Sequence, residues 1–146
     1  KYENAIAAIP LLVSFIPMLM DTGGNCGSQS STLIIRGIAL SQIHFRDIFR
    51  VIFKEFRISL IVGEVLAVTN GIRIMIQYDD FNLALVIALS LIGTVIMSKL
   101  IGCMLPLLAS RVHLDPAIMA SPLITTLVDI FSILIYFNIA TKLFNL

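Results

Sequence analysis

Asn82-Leu-Ala-Leu-Val-Ile-Ala-Leu-Ser-Leu-Ile-Gly-Thr-Val-Ile-Met-Ser-Lys-Leu-Ile-Gly-Cys-Met-Leu-Pro-Leu-Leu-Ala109 carries a single charge, Lys99, in a run otherwise made of aliphatic and small residues. About 20 apolar residues suffice to take a helix across a bilayer, so the run reads as a membrane span. The whole composition agrees: of 146 residues 58% are hydrophobic and 13% charged. A soluble domain is nearer half apolar and a quarter charged. Ten basic residues against nine acidic ones leave no tail aimed at nucleic acid. Cys26 and Cys103 are too few for a disulfide framework and lack metal-binding spacing. A soluble enzyme, a nucleic-acid binder and a disulfide scaffold are excluded. What is left is an all-α polytopic membrane bundle.

Three further hydrophobic stretches flank this run. The first covers Asn4 to Met20 with Pro10 and Pro17, passes through Asp21-Thr-Gly-Gly-Asn-Cys-Gly-Ser-Gln-Ser-Ser-Thr32, and resumes from Leu33 to Ile43. The second is Phe56 to Gln77, and the fourth is Pro116 to about Thr141 with one charge, Asp129. The length therefore accommodates four crossings. Between the first two stretches, Phe45, Ile48, Phe49, Ile52, Phe53 and Phe56 recur at helical spacing, with Arg46, Asp47, Arg50, Lys54 and Glu55 opposite. This segment, His44 to Glu55, reads as an amphipathic helix lying in the membrane interface, with a partner-binding helix as the alternative.

Basic residues set the orientation. Arg36, Arg46, Arg50, Lys54 and Arg57, five of the ten positive charges, fall between the first two stretches. The third connection holds Arg111 and His113, and the second holds Asp79 and Asp80 with no cation. The loops 36–57 and 110–115 are thus expected in the cytoplasm and 78–81 outside. Both termini would then lie outside. The chain opens Lys-Tyr-Glu without an initiator Met and without a signal peptide, so a fragment lacking one upstream crossing is expected.

Polar residues inside these spans carry the functional signal. An ionisable residue at mid-span costs roughly 2.5–3.5 kcal/mol even on lenient insertion scales. Counted from Pro116, Asp129 would lie about 20 Å into the membrane. Ser121, Thr125, Asp129, Ser132 and Tyr136 share one helix face, and Pro122 would free the carbonyl of Ile118. A hydrogen-bonded seam between helices accounts for the hydroxyls but not for a carboxylate without a nearby Lys or Arg. A water-filled cation path accounts for both. Asp115 precedes Pro116 and reads as a helix cap with an added cation-attracting role at the cytoplasmic mouth.

The first stretch offers a second polar face. Asp21, Asn25, Ser28, Thr32 and Arg36 align if it stays helical, with Gln29 adjacent. Gly23, Gly24 and Gly27 among them fit a backbone that approaches another helix or a ligand closely. Glu64 and Lys99 are expected to pair across helices, Arg73 to snorkel to the outer interface, and His44 and His113 to hold no metal. No catalytic motif is present.

Two of these segments resemble one family. Pro17-Met-Leu-Met-Asp-Thr-Gly-Gly-Asn-Cys-Gly-Ser-Gln-Ser-Ser-Thr-Leu-Ile-Ile-Arg-Gly-Ile-Ala-Leu40 resembles the second transmembrane helix of MgtE magnesium channels. Asp115-Pro-Ala and Ser121-Pro-Leu-Ile-Thr-Thr-Leu-Val-Asp129 are similar to that family's fifth helix. The resemblance covers essentially the whole chain. It implies that residues 1–146 form one transmembrane pore domain, holding the second to fifth helices of five. It implies a homodimer whose pore lies on the two-fold axis, with Asp129 as the carboxylate that holds hydrated Mg²⁺. Asn25, Gly24, Gln29, Asp21, Ser121, Thr125 and Thr126 would line the path.

The expected function is therefore a Mg²⁺ channel of the cell membrane; a proton- or sodium-coupled exchanger and a non-conducting assembly module are the alternatives. Mg²⁺ is the transported ion, and no organic cofactor is expected. Expected partners are the second protomer, the bilayer, and the missing first helix and cytoplasmic gating domains, with no nucleic acid. Mg²⁺ prefers octahedral oxygen ligands and sheds water reluctantly, which suits few carboxylates among hydroxyls, amides and carbonyls.

Overall fold

The computed structural model describes residues 10–119 and 122–144. Helix α1 spans Ile16–Ala39 after a helical turn over 10–14, α2 spans Ile48–Tyr78, α3 spans Phe81–Arg111 and α4 spans Pro122–Phe144. Short 3-10 turns at Phe45–Asp47 and Pro116–Met119 lead into α2 and α4. No strand occurs among the described residues. Both α3 and α4 are long and apolar enough to cross a membrane by length and composition.

Helix α3 is the hub. It packs against α1, α2 and α4 through one broad face, the buried pairs Ser90/Leu91, Thr94/Val95, Ser98/Lys99, Gly102/Cys103 and Pro106/Leu107, while Leu89, Met104 and Leu108 on the other side are exposed. Asp80 caps its start by accepting a hydrogen bond from the Leu83 amide at 3.1 Å, and Asp79 turns the chain there with φ of 51°. Near its other end α1 comes so close that a Cβ on Gly102 would collide with the Gly27 carbonyl. Glycine on both helices is what lets the backbones meet.

Helix α1 runs unbroken through Gly23, Gly24 and Gly27. Those glycines face α3 and α4. A Cβ at Gly23 would lie 2.7 Å from Val128 Cγ1 and 2.8 Å from Thr94 Cγ2; one at Gly27 would lie 2.9 Å from Ile124 Cγ2. The small-residue face therefore seats α4 directly on α1.

Two apolar clusters hold the ends of the bundle. Leu12, Leu19, Ile74, Leu83, Ile87 and Tyr136 form one, and the Tyr136 hydroxyl donates to the Leu12 carbonyl at 2.8 Å. Ile34, Val51, Cys103 and Leu107 form the other, with Phe45, Ile48 and Ile52 packed against it. Arg111 stacks over the Phe45 ring at 4.6 Å and joins the first and third connections at that end.

Three sequence expectations change. The segment from His44 to Glu55 is not a separate helix: it begins as a 3-10 turn and continues into α2. No glycine or proline between residues 48 and 62 interrupts the helix. Its phenylalanine stripe divides, with Phe45 packed inward and Phe49 and Phe53 exposed. The fourth stretch is not helical from Pro116, since an α-helix begins only at Pro122. Asp129 therefore sits about 10 Å into α4 rather than about 20 Å. Pro122 stands at the first helical turn, where its carbonyl accepts the hydroxyls of Thr125 and Thr126 at 3.1 and 2.8 Å.

The third change concerns the buried charges. Lys99 pairs with Glu55, not with Glu64: Lys99 Nζ lies 3.7 Å from Glu55 Oε2, and Glu64 is exposed. Two and a half turns separate Glu55 from Glu64 at about 3.6 residues per turn, so they point to opposite sides of α2. Glu55 shares its side with buried Ser59, Gly63 and Ala67, small residues that admit α3. The Ser30 hydroxyl completes the group, donating to Glu55 Oε2 at 2.6 Å and accepting from Lys99 Nζ at 3.2 Å. Three helices are thus tied at one buried point.

Breaking such a pair from one side leaves an uncompensated buried charge, worth about 3–5 kcal/mol. Lys99→Met alone is therefore expected to lower the melting temperature sharply. Glu55→Gln combined with Lys99→Met should recover most of the loss. Thermal unfolding of the two variants and wild type in detergent measures this, and equal melting of single and double variants would count against the pairing.

Candidate cation-binding groove

A groove of about 370 Å³ opens between α1 and α4, lined by Met20, Asp21, Gly24, Asn25 and Ser28 from one helix and Thr125 and Asp129 from the other. Helical spacing accounts for its walls. Asp21, Asn25 and Ser28 recur at i, i+4 and i+7 on α1, and Thr125 and Asp129 at i and i+4 on α4. Close seating of α4 on the glycine face brings the two rows together, and a Cβ at Gly24 would already touch Thr125 Cγ2 at 3.3 Å. A second groove lined by Asn25, Ser28, Gln29, Thr32 and Leu33 shares Asn25 and Ser28 with the first. From Asp21 to Thr32 the polar track covers about 16 Å of α1.

Charge in the groove is negative only. Asp21 accepts a hydrogen bond from the Asn25 amide at 3.3 Å. Asp129 is half-buried and has no hydrogen-bond or ion-pair partner among the described residues. No Lys or Arg lines either groove. Among the described residues no three His, Cys, Asp or Glu side chains converge. The donor set is two carboxylates, an amide and hydroxyls, a set of hard oxygen ligands of the kind that favour Mg²⁺ or Ca²⁺ over softer metals.

The residues expected at the site fall into four groups. Asp21, Gly24, Asn25, Thr125 and Asp129 line one groove, and Gln29 lines its continuation. Thr126 lies outside both, exposed and bonded to the Pro122 carbonyl, because one residue turns the helix by about 100° away from Thr125. Asp115 is also away from the groove: its Oδ1 accepts from the Ala117 amide at 2.9 Å and caps the Pro116–Met119 turn. Ser121 lies outside the described residues.

The polar face of α4 also splits along its length. Ser132 and Tyr136 are buried against the bundle, and Ser132 donates to the Val128 carbonyl at 2.7 Å. Ser132 and Tyr136 fall in the buried i, i+4 row Ile124, Val128, Ser132, Tyr136 and Ala140, whereas Thr125 and Asp129 stand one residue, about 100°, around the helix from that row. Met20 is a wall residue that sequence reasoning does not single out; its place beside Asp21 on the turn facing α4 is the signal. Ser30 is missed as well, since its neighbours in sequence do not show that it meets Lys99.

Comparison with known proteins adds an independent line. The family model for MgtE, described as a divalent cation transporter, matches residues 16–139. A magnesium transporter MgtE of Bacillus subtilis is 40% identical over 140 residues, covering 96% of this chain and 31% of that protein. The protein of the same name from Thermus thermophilus is 38% identical over 143 residues, 97% of this chain and 31% of its own length. That of Enterococcus faecalis is 32% identical over 141 residues, again 97% and 31%. The chain thus spans about a third of the length of these relatives. Matched from α1 to α4 by the family model and by all three relatives, the chain belongs to the MgtE family of divalent cation transporters.

Proposed function

We propose that this chain is the membrane pore domain of a Mg²⁺ channel, with Asp129 as the residue that binds and selects the ion. The observation that carries this reading is a carboxylate unpaired among the described residues, two turns into an apolar helix, facing a groove lined by oxygen ligands and by no Lys or Arg among those residues. A carboxylate in that position is costly unless water or a cation meets it. Mg²⁺ with six waters occupies on the order of 180 Å³, counting about 30 Å³ per water, so a groove of about 370 Å³ takes the hydrated ion. Binding through waters keeps the ion mobile, because a site stripped down to protein ligands would hold it too long to conduct.

The groove is open on one side, which suits half of a pathway. A second protomer related by a two-fold axis would close it and double the charge of Asp129 to match one divalent ion. All four long helices would cross the cell membrane, α2 and α3 turning outside at 78–81. The connections 36–57 and 110–115 would be cytoplasmic, and the stacking of Arg111 on Phe45 supports a common side for the two.

The test is flux. The full-length protein in liposomes is expected to pass Mg²⁺ down its own gradient with no pH or Na⁺ gradient imposed. Flux that stops unless one of those gradients is supplied would replace the channel by an exchanger.

A further inference from the structure

The first turns of α2 carry positive charge that nothing in the fold answers. Arg36, Arg50 and Lys54 line a cavity of about 690 Å³ beneath the end of α1. Arg50, Lys54 and Arg57 line an adjoining groove of about 470 Å³ with Phe53, Ile58 and Ile61. Two acids border the cavity, but both are taken. The Asp47 carboxylate accepts from the His44 amide at 2.9 Å, and Glu55 is held by Ser30 and Lys99. Among the described residues none of the four cations forms an ion pair; Arg57 only lies over the Phe53 ring at 6.0 Å.

Apolar surface follows directly. Lys54, Ile58, Ile61, Val65, Val68 and Ile72 fall at i, i+4, i+7, i+11, i+14 and i+18, one straight stripe along α2. From Ile61 onward each of these side chains is more than half exposed. Ile61 to Ile72 spans about 16 Å, the depth of one leaflet in a hydrocarbon core about 30 Å thick. A basic head ending in an apolar track one leaflet deep has the charge and shape of an anionic phospholipid in reverse.

We propose that this face of α2 is a binding site for an anionic phospholipid, its phosphate on Arg50, Lys54 and Arg57 and its acyl chains along Ile58, Ile61 and Val65. The site rests on the membrane position proposed for α2, but not on the conduction path. Basic clusters beside membrane helices recognise anionic headgroups through charge and donor count, each Lys or Arg contributing about a fivefold preference.

The experiment is native mass spectrometry of the full-length protein equilibrated with equimolar phosphatidylglycerol and phosphatidylcholine of identical acyl chains. Wild type is expected to retain phosphatidylglycerol preferentially. The R50Q/K54Q/R57Q variant should lose at least about tenfold of that preference. R50K/R57K should keep it, and K54Q alone should lose about fivefold, which covers the case of a triple variant that fails to fold. Millimolar glycerophosphoglycerol, the headgroup without chains, should not displace the lipid. Equal retention of the two lipids by wild type, an unchanged ratio in well-folded R50Q/K54Q/R57Q, or displacement by the chain-free headgroup would each overturn the site. Loss of Mg²⁺ flux in liposomes with the lipid preference intact would refute the channel and leave the lipid site standing.

Discussion

Full-length protein carrying Asp129→Ala is expected to fail to restore growth of a magnesium-auxotrophic host at low external Mg²⁺, and to lose Mg²⁺ uptake by at least about tenfold. One stable contact to a charged group, even through water, is worth about 1.5–3 kcal/mol, a factor of ten or more in occupancy. Asp129→Asn should behave similarly, because it keeps volume and polarity and removes only the charge. The same substitutions should leave folding intact or improve it. Asp129 has no protein partner to lose among the described residues, and an intramembrane charge costs roughly 2.5–3.5 kcal/mol. Lost uptake with preserved or raised thermal stability is the signature of a residue kept for its ion rather than for its packing. A well-expressed Asp129→Ala protein with normal uptake would end the proposed role. A variant that fails to fold would instead identify Asp129 as part of a hydrogen-bonded seam between helices.

The second large effect is structural. Gly102→Ala is expected to lower the melting temperature strongly or abolish accumulation of folded protein. The added Cβ has to displace the Gly27 backbone: its carbonyl oxygen stands in the way, and its C and Cα lie at 3.0 and 3.1 Å. Side chains can rotate out of such a clash, but a helix backbone can yield only if α1 and α3 separate. Overpacking costs typically about 1–3 kcal/mol, and the upper end applies where backbone must move. Separation would also shift Asp21 and Asn25 relative to Asp129, so any Gly102→Ala protein that does fold should conduct poorly. Gly71→Ala is the control. Its nearest neighbour would be Ala88 Cβ at an ordinary 3.9 Å, and removing a mid-helix glycine there is worth about 0.5–1 kcal/mol of added stability. Size-exclusion profiles after graded heating compare the variants; coincident profiles for Gly102→Ala and wild type would show that the contact is looser than described.

Much of the site is legible in the sequence because helical periodicity is a property of the chain alone. Asp21, Asn25 and Gln29 stack on consecutive turns, and Thr125 and Asp129 share a face wherever their helix is placed. The membrane-spanning length of the run from Asn82 to Ala109 follows in the same way from its aliphatic composition and its single charge. What is not legible depends on partners and on ends. Glu64 lies mid-stretch and Glu55 reads as interfacial, so the sequence points to Glu64 as the partner of Lys99; the side of α2 that meets α3 gives the pair to Glu55 instead. The sequence places Asp129 too deep because Pro116 begins a 3-10 turn capped by Asp115, a local alternative to the helix that cap-and-proline chemistry does not distinguish. Thr126 groups with Thr125 by residue type, although one step along a helix changes the face.

Composition and periodicity alone dictated an all-helical chain with long apolar runs, two polar faces and, on one of them, the carboxylate of Asp129 without a cation nearby, since burial and helix geometry act residue by residue. Tertiary packing decided which faces meet. The glycines of α1 admit α4 and α3 to near-contact, the Ser30–Glu55–Lys99 group joins three helices at one buried point, and the two polar rows become opposite walls of one groove. Those outcomes depend on interhelical distance and rotation, which arise only when several small-residue surfaces compete to be filled at once.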